Sequence, residues 1–307
     1  MRLHHLRYCL LPVCLATVTL PAVAQADDAP VYQPGPDPVS VDHNDATNTM
    51  SHQNGTAGNS NDMGMSADNS GTTSNASYRD QWLKGRFQLG AVGNVESSPY
   101  RGADNYDLGG LPWIAFDSER LHVGIDGIKA KIVQGNWGSV SILGNVRMKP
   151  FDDDDSPYLR GLHDRDWAFE TGVAYDREIG PGEAHIEYLH DVSGEHEGQQ
   201  ADATYKIPFQ TGRFHYDVGG GVMWRDSDLN NYYVGVEPGE ARADRAAYSA
   251  DSAFLPHLDA SVAYQLTQQM IVRANASATF LPDEYKDSSI IEDDVIYGVG
   301  LGLVYQF

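Results

Sequence analysis

Eleven histidines among 43 acidic residues invite a search for catalytic and metal-binding constellations. His185, His190 and Asp191 bring two imidazoles and a carboxylate into one short segment, the parts of a general-base pair. Their nucleophile would have to be recruited from elsewhere, because no Gly-x-Ser-x-Gly elbow occurs in the chain. These residues therefore read as interfacial or lumenal histidines, and no enzyme is expected. Asp152 to Asp155 offers hard oxygen ligands suited to Ca²⁺, or to ions bridging lipopolysaccharide phosphates, but lacks the Gly and Glu spacing of an EF-hand. A solvated loop is the simpler reading. Met50, His52, Met63 and Met65 are soft ligands of the kind that suit Cu(I), yet their loose spacing in a polar stretch fits a tether equally well. No catalytic, cofactor or metal site is assigned.

The elements that must carry these residues begin with an export signal. Arg2 and Arg7 precede an apolar run from Tyr8 to Leu20, then Pro21 and the small-x-small sequence Ala22-Val23-Ala24. This is the form of a cleaved secretory signal over residues 1–24. Cys9 and Cys14 both lie inside it, so the processed chain has no thiol or disulfide chemistry. Val13 stands where a lipoprotein signal needs a small residue before Cys14, which argues against lipidation. Processing removes two arginines and no acids, leaving 19 basic against 43 acidic residues, or −24. Such a charge excludes nucleic acid as a partner.

Residues 25–79 form a separate stretch rich in Asp, Asn, Ser, Gly and Thr, without apolar periodicity. It cannot bury a core and is expected to be disordered. From about residue 80 to Phe307 the pattern changes to period two, which means strand. In the last segment Val295, Tyr297, Val299, Leu301, Leu303, Tyr305 and Phe307 share one face, while Gly298, Gly300, Gly302 and Gln306 share the other. Similar alternation recurs around Phe214–Trp224, Leu258–Leu266, Met270–Phe280 and Trp167–Tyr175.

A soluble sandwich also alternates, so three further features decide which way the apolar face points. The segments have the length a tilted strand needs to cross a bilayer rather than that of an ordinary strand. Aromatic residues such as Phe87, Trp113, Trp167, Tyr175, Trp224, Tyr264, Phe280 and Tyr305 sit near segment ends, as interfacial girdles do. The opposite parity carries Glu170, Glu187, Lys206, Asp217, Asp259 and Arg273, which a dry sandwich core would not tolerate. Those six are the expected lumen-facing residues. The fold class is thus an all-β, antiparallel transmembrane β-barrel in the outer membrane of a Gram-negative cell, in contact with lipid and lipopolysaccharide.

In such barrels both termini face the periplasm and long loops face out. That rule gives twelve strands, near 86–95, 107–117, 120–126, 127–134, 138–148, 167–177, 183–192, 199–208, 213–225, 256–266, 269–281 and 294–307. The third and fourth are short, so ten is the competing count. Leu301, Leu303, Tyr305 and Phe307 resemble the C-terminal signal read by the barrel-assembly machinery, which makes that machinery an expected partner.

Gly90, Pro99-Tyr100-Arg101-Gly102, Leu111-Pro112, the loop starting Asn231-Tyr232-Tyr233-Val234-Gly235-Val236 and the strand from Gly298 to Phe307 together resemble the MipA/OmpV family over residues 80–307. Val234 is a departure, because family members often read Tyr-Tyr-Gly-Val there, and the polar extension is another. The resemblance implies a non-enzymatic scaffold at the cell wall, contacting a lytic transglycosylase and a penicillin-binding protein. The residues themselves leave two other functions open. A twelve-stranded lumen is wide enough to conduct small polar solutes or ions, and the external loops could serve adhesion or recognition.

Overall fold

The computed structural model describes residues 78–104 and 106–307. The expected signal peptide, residues 25–77 of the polar stretch and the Met50, His52, Met63 and Met65 group lie outside these residues. A short helix α1 (Tyr78–Leu83) leads into twelve strands. They are β1 (Gly85–Ser97), β2 (Tyr106–Ser118), β3 (Leu121–Gly124), β4 (Gly127–Gly135), β5 (Gly138–Arg147), β6 (Ala168–Ile179), β7 (Gly182–Asp191), β8 (Gln199–Thr211), β9 (Phe214–Arg225), β10 (Ala253–Gln265), β11 (Met270–Phe280) and β12 (Val295–Gln306). Each pairs antiparallel with its sequence neighbours, and β12 closes the ring on β1 from Gln88↔Gln306 to Glu96↔Gly298. The count is twelve rather than ten.

Alternation explains the packing. Leu108, Ile114, Phe169, Val299, Leu301 and Phe307 are exposed on the outside, whereas Ala115, Glu170, Gln200 and Val304 are buried. A water-soluble protein would not display such a band; a bilayer is the solvent that makes it stable. No helix among the described residues is long and apolar enough to cross a membrane.

Three strands carry a proline, each where one neighbour is missing. Pro208 lies beyond the last β7–β8 pair at Glu183↔Lys206, Pro256 before the first β10–β11 pair at His257↔Thr279, and Pro112 above the β2–β3 pairs. A missing N–H costs a strand little on an unpaired side. This is why β8 runs on to Thr211 and β10 starts at Ala253, longer than the segments 199–208 and 256–266 read from sequence.

Trp113 is a correction to the girdle expected from sequence. It is only 5% exposed, and its indole Nε1 donates to Gln88 Oε1 at 3.1 Å. Its neighbours Pro112 and Ile114 are exposed, which places it on the inner parity of β2 beside Ala115 and Val304.

One end of the barrel has short turns, such as Gly212–Arg213. The other carries the segments 98–105, 148–167, 192–198, 226–252 and 281–294. The segment read as a loop from Asn231 instead contains a helix, α2 (Ser227–Val234), N-capped by Asp226, whose side chain accepts from the Leu229 N–H. Segment 281–294 contains a one-turn helix, α3 (Asp283–Lys286).

Candidate functional site: the closed mouth and the acidic interior

The loops at the long-loop end fold inward. Tyr100, Phe151, Leu159, Leu162, Leu229, Val234, Leu281 and Ile290 come from four different loops, yet they form one buried cluster with Met223 and Leu255 of the barrel wall. The loops bury their apolar side chains against one another at the mouth. The cluster is a lid.

Beneath it lies a polar network that ties lid to wall. Arg147, the last residue of β5, donates from Nε to Glu170 at 2.7 Å, from one terminal nitrogen to the Tyr233 hydroxyl at 2.8 Å and from the other to Gln200 at 3.1 Å. Glu170 also accepts from Asn145 at 3.1 Å and lies 3.4 Å from His196 Nε2. Arg225, the last residue of β9, donates to Gln200 at 3.2 Å and to the Tyr285 hydroxyl at 2.9 Å, with its guanidinium 4.4 Å from the centre of the Tyr233 ring. Tyr285 in turn donates to Asn230 Oδ1 at 2.9 Å. Two strand-end arginines thus hold α2 and α3 through one phenol each. Arginine suits this task because its planar fork serves several acceptors at once and its charge survives burial.

The lid phenols are themselves perturbed. Burial pushes Tyr100, Tyr232 and Tyr285 above the ordinary phenol range, so they remain donors. Tyr100 donates to the Tyr233 carbonyl at 3.2 Å, and Tyr232 to the Asp166 carbonyl at 2.7 Å. Above the lid a cleft of about 650 Å³ opens between the loops, lined by Glu195, Asp228, Tyr232, Glu237 and Tyr248 among others.

Below the network three histidines each sit between two carboxylates. His122 contacts Asp117 at 2.6 Å and Asp126 at 2.9 Å; His185 contacts Asp176 at 2.6 Å and Glu187 at 3.3 Å. His257 lies 3.6 Å from Asp202 and 3.5 Å from Asp259. The residues singled out from sequence are thereby placed: Glu170 in the lid network, Glu187 and Asp259 beside histidines, and Asp217 accepting from Ser261 at 3.0 Å. Lys206 lies across from Glu183 and Gly219. Arg273 faces Gly302, and its buried Nε lacks a hydrogen-bond partner.

His185, His190 and Asp191 do not meet. His190 contacts the Gly198 carbonyl, while Asp191 accepts backbone N–H groups from Ser193, His196 and Glu197 and so shapes a loop. In the Asp152–Asp155 stretch, the Asp155 carboxylate accepts from the Asp152 N–H, and Lys149 pairs with Asp152. Among the described residues no group of three or more His, Cys, Asp or Glu is placed to hold a metal ion.

Sequence reading missed Arg147, Arg225, Asn230 and Tyr285, the residues that fix the lid. A signal existed: Arg147 and Arg225 are charged residues at strand ends where long loops begin, the place for anchoring a loop rather than lining a lumen.

The family model of MltA-interacting protein MipA matches residues 89–307. This chain belongs to that family. Outer membrane protein Omp26La of Vibrio anguillarum is 28% identical over 233 residues, covering 75% of this chain and 88% of that protein. Outer membrane protein OmpV of Vibrio cholerae is 24% identical over 75% of this chain and 88% of its own length. The MltA-interacting protein of Escherichia coli K12 is 24% identical, over 73% and 91% respectively. The COG4313 outer membrane channel from Pseudomonas putida F1 superposes with a TM-score of 0.40 at 10% identity, over 73% of this chain and 95% of that one. The family match, the outer-membrane relatives and the closed ring of twelve strands make the protein an outer-membrane β-barrel of the MipA family. Its short turns face the periplasm and its lid faces out.

Proposed function

We propose that this member of the MipA family is a non-enzymatic scaffold whose periplasmic end holds a murein-remodelling enzyme, a lytic transglycosylase, with a penicillin-binding protein alongside. The observation that carries the reading is the lid. A mouth filled by apolar side chains from four loops, and fastened by Arg147 and Arg225, favours a role in holding partners over a role in passing solutes. The name of the Escherichia coli relative, MltA-interacting protein, supplies the class of partner.

The contact surface on this reading is the short-turn end. There Trp137 stacks on Tyr175 at 6.0 Å between ring centres, and Arg120 lies 5.2 Å from the centre of the exposed Tyr78 ring. Exposed aromatic and arginine side chains are the types that anchor protein interfaces. The 27–77 segment is a second contact on this reading. On this reading Glu187, Lys206, Asp217, Asp259 and Arg273, expected from sequence to face the lumen, take no part in docking, and Glu170 serves the lid at the opposite end.

The test pairs two measurements on the refolded barrel. Planar-bilayer recordings should stay silent, and a lytic transglycosylase should be retained from periplasmic extract, less strongly by a chain lacking residues 27–77. Steady ion-selective steps, together with no retained murein enzyme, would replace the scaffold by a channel.

A further inference from the structure

The outer loop between β7 and β8 is built around one buried imidazole. His196 is 7% exposed, and its side chain is enclosed between the barrel wall and α2. Its Nδ1 accepts from the Gly198 N–H at 3.0 Å, so the single proton of the neutral ring is on Nε2, which lies 3.4 Å from Glu170 Oε1. Between the two bonded residues stands Glu197, whose φ of 54° makes it the one non-glycine residue in the left-handed region among the described residues. That backbone is costly for a residue with a Cβ. The Nδ1 bond spans it and holds it in place. Gly198 in turn rests on the first turn of α2: a Cβ there would come within 2.5 Å of the Leu229 nitrogen, and the Asp226 N–H donates to the Gln199 carbonyl at 3.1 Å. The His196 ring also packs on Tyr232, with centres 5.2 Å apart. The loop is a catch on the flank of the lid.

The charged and titratable groups facing this imidazole come from each element around it. From the wall, Glu170 of β6 already receives Arg147 Nε of β5 at 2.7 Å and Asn145 at 3.1 Å. From the loop itself, the Asp191 carboxylate accepts the backbone N–H groups of His196 at 2.8 Å and Glu197 at 2.9 Å, and Glu195 accepts from the Asp166 N–H at 2.8 Å. From α2 come the Tyr232 ring and the Tyr233 hydroxyl, the latter bound to Arg147 at 2.8 Å. Arg165 of the 148–167 segment is committed to the Tyr232 and His163 carbonyls. A second proton on His196 has only Nδ1 to occupy, where it turns an acceptor into a donor facing the Gly198 N–H. The new charge is shut away from water beside Arg147, whose own carboxylate is already in use. Glu170 attracts it, but across 3.4 Å and in competition with a 2.7 Å bond. Three effects oppose the charge and one favours it.

We propose that His196 is an acid-released catch: protonation of its imidazole frees the 192–198 loop from Glu170, Tyr232 and α2 and so widens the outer cleft, one wall of which is Glu195, His196 and Glu197. The catch holds while the ring is neutral and is lost as pH falls and the ring takes its second proton. Because the loop lies at the long-loop end, the device answers to the medium outside the cell. This inference is independent of the periplasmic partner.

The test is hydrogen exchange, read by mass spectrometry on the refolded full barrel at about pH 7.5 and about pH 5 and corrected for the intrinsic effect of pH on exchange. Protection of the 192–198 segment should fall about tenfold or more between the two, the scale of an unmade buried hydrogen bond. In His196→Asn the side-chain carbonyl can still accept from the N–H two residues on but does not titrate, so protection should stay at the neutral parent's level throughout. His196→Phe has no acceptor and should be unprotected at both values. His190 is an internal control, because its Nδ1 donates to the Gly198 carbonyl at 3.2 Å, a role that a charged ring keeps. Heat-shifted gel mobility at each pH verifies that every barrel compared is closed. Unchanged protection in the parent would overturn the proposal. So would an equal fall in His196→Asn, which would assign the response to His190 or the carboxylates, or a His196→Phe loop still protected near neutral pH, which would mean that the Nδ1 bond does not hold it.

Discussion

At the scale of single residues, burial decides which charges matter. Arg147 and Glu170 are both almost fully buried, whereas the Lys84–Asp80 pair is largely exposed on Lys84. Removing one member of a buried pair strands the other and costs about 3–5 kcal/mol, while an exposed pair contributes about 0–1 kcal/mol. Arg147→Met should therefore free α2 from the wall and make the 226–252 loop sensitive to added protease on intact cells; Lys84→Ala should leave cleavage unchanged. The lid phenols give a pH dependence of definite sign. Tyr100, Tyr232 and Tyr285 are raised in the folded lid above the value of about 10 that they regain when it opens. Their contribution is complete below about pH 10 and is lost as pH rises beyond it. A tyrosinate absorbance titration should show exposed phenols ionising first and a later step that coincides with protease sensitivity of the loops. A single step shared by all tyrosines would show that the lid does not protect its phenols.

At the scale of elements, the strands were legible and the lid was not. Period-two patterning is a local property, so Val295 to Phe307 or Phe214 to Trp224 could be read as strands without knowing their neighbours. The lid depends on loops distant in sequence meeting at one place, as Phe151, Leu229 and Ile290 do, and no local pattern encodes that. Two features were misread although the signal was present. Asp226 ahead of Ser227, Asp228 and Leu229 is a helix N-cap signature. Trp113 sits on the opposite parity from Leu108 and Ile114, which should have outweighed its nearness to a segment end. The site was legible only in part: Glu170 belongs to the lid network, but its arginine partner did not stand out. Element-level predictions concern the two kinds of strand edge. At the closing seam the Phe307 N–H donates to the Phe87 carbonyl at 2.9 Å, and Phe307 packs on Tyr305 with ring centres 4.7 Å apart. Deleting Phe307 should lower outer-membrane abundance, measured by quantitative immunoblot, before it alters the folded barrel; equal folded amounts would remove Leu301, Leu303, Tyr305 and Phe307 as an assembly signal. Where β2 runs past its β3 pairs, Pro112→Val restores an N–H and should promote edge-to-edge dimers, visible as a shift in light-scattering mass.

At the scale of the whole molecule, twelve strands make a barrel that side chains from the wall alone need not fill, so something else must settle whether it conducts. Here the loops supply the filling. Their apolar residues pack where water would otherwise enter, and the histidine–carboxylate groups around His122, His185 and His257 leave the interior below them polar and mostly acidic. Closure and conduction are thus separable by one change. Replacing residues 227–250 with a short Gly-Ser linker removes α2, Leu229, Tyr233 and Val234 from the mouth while leaving β9 and β10 intact. The unplugged barrel should show steady steps in planar bilayers with a preference for cations, because Asp217, Asp259 and Glu187 would then face a continuous water path. Neutralising Asp217 in that background should lower the cation preference. If the unplugged barrel is as silent as the parent while keeping its heat-shifted gel mobility, the barrier lies deeper than the lid, among the paired charges of the interior.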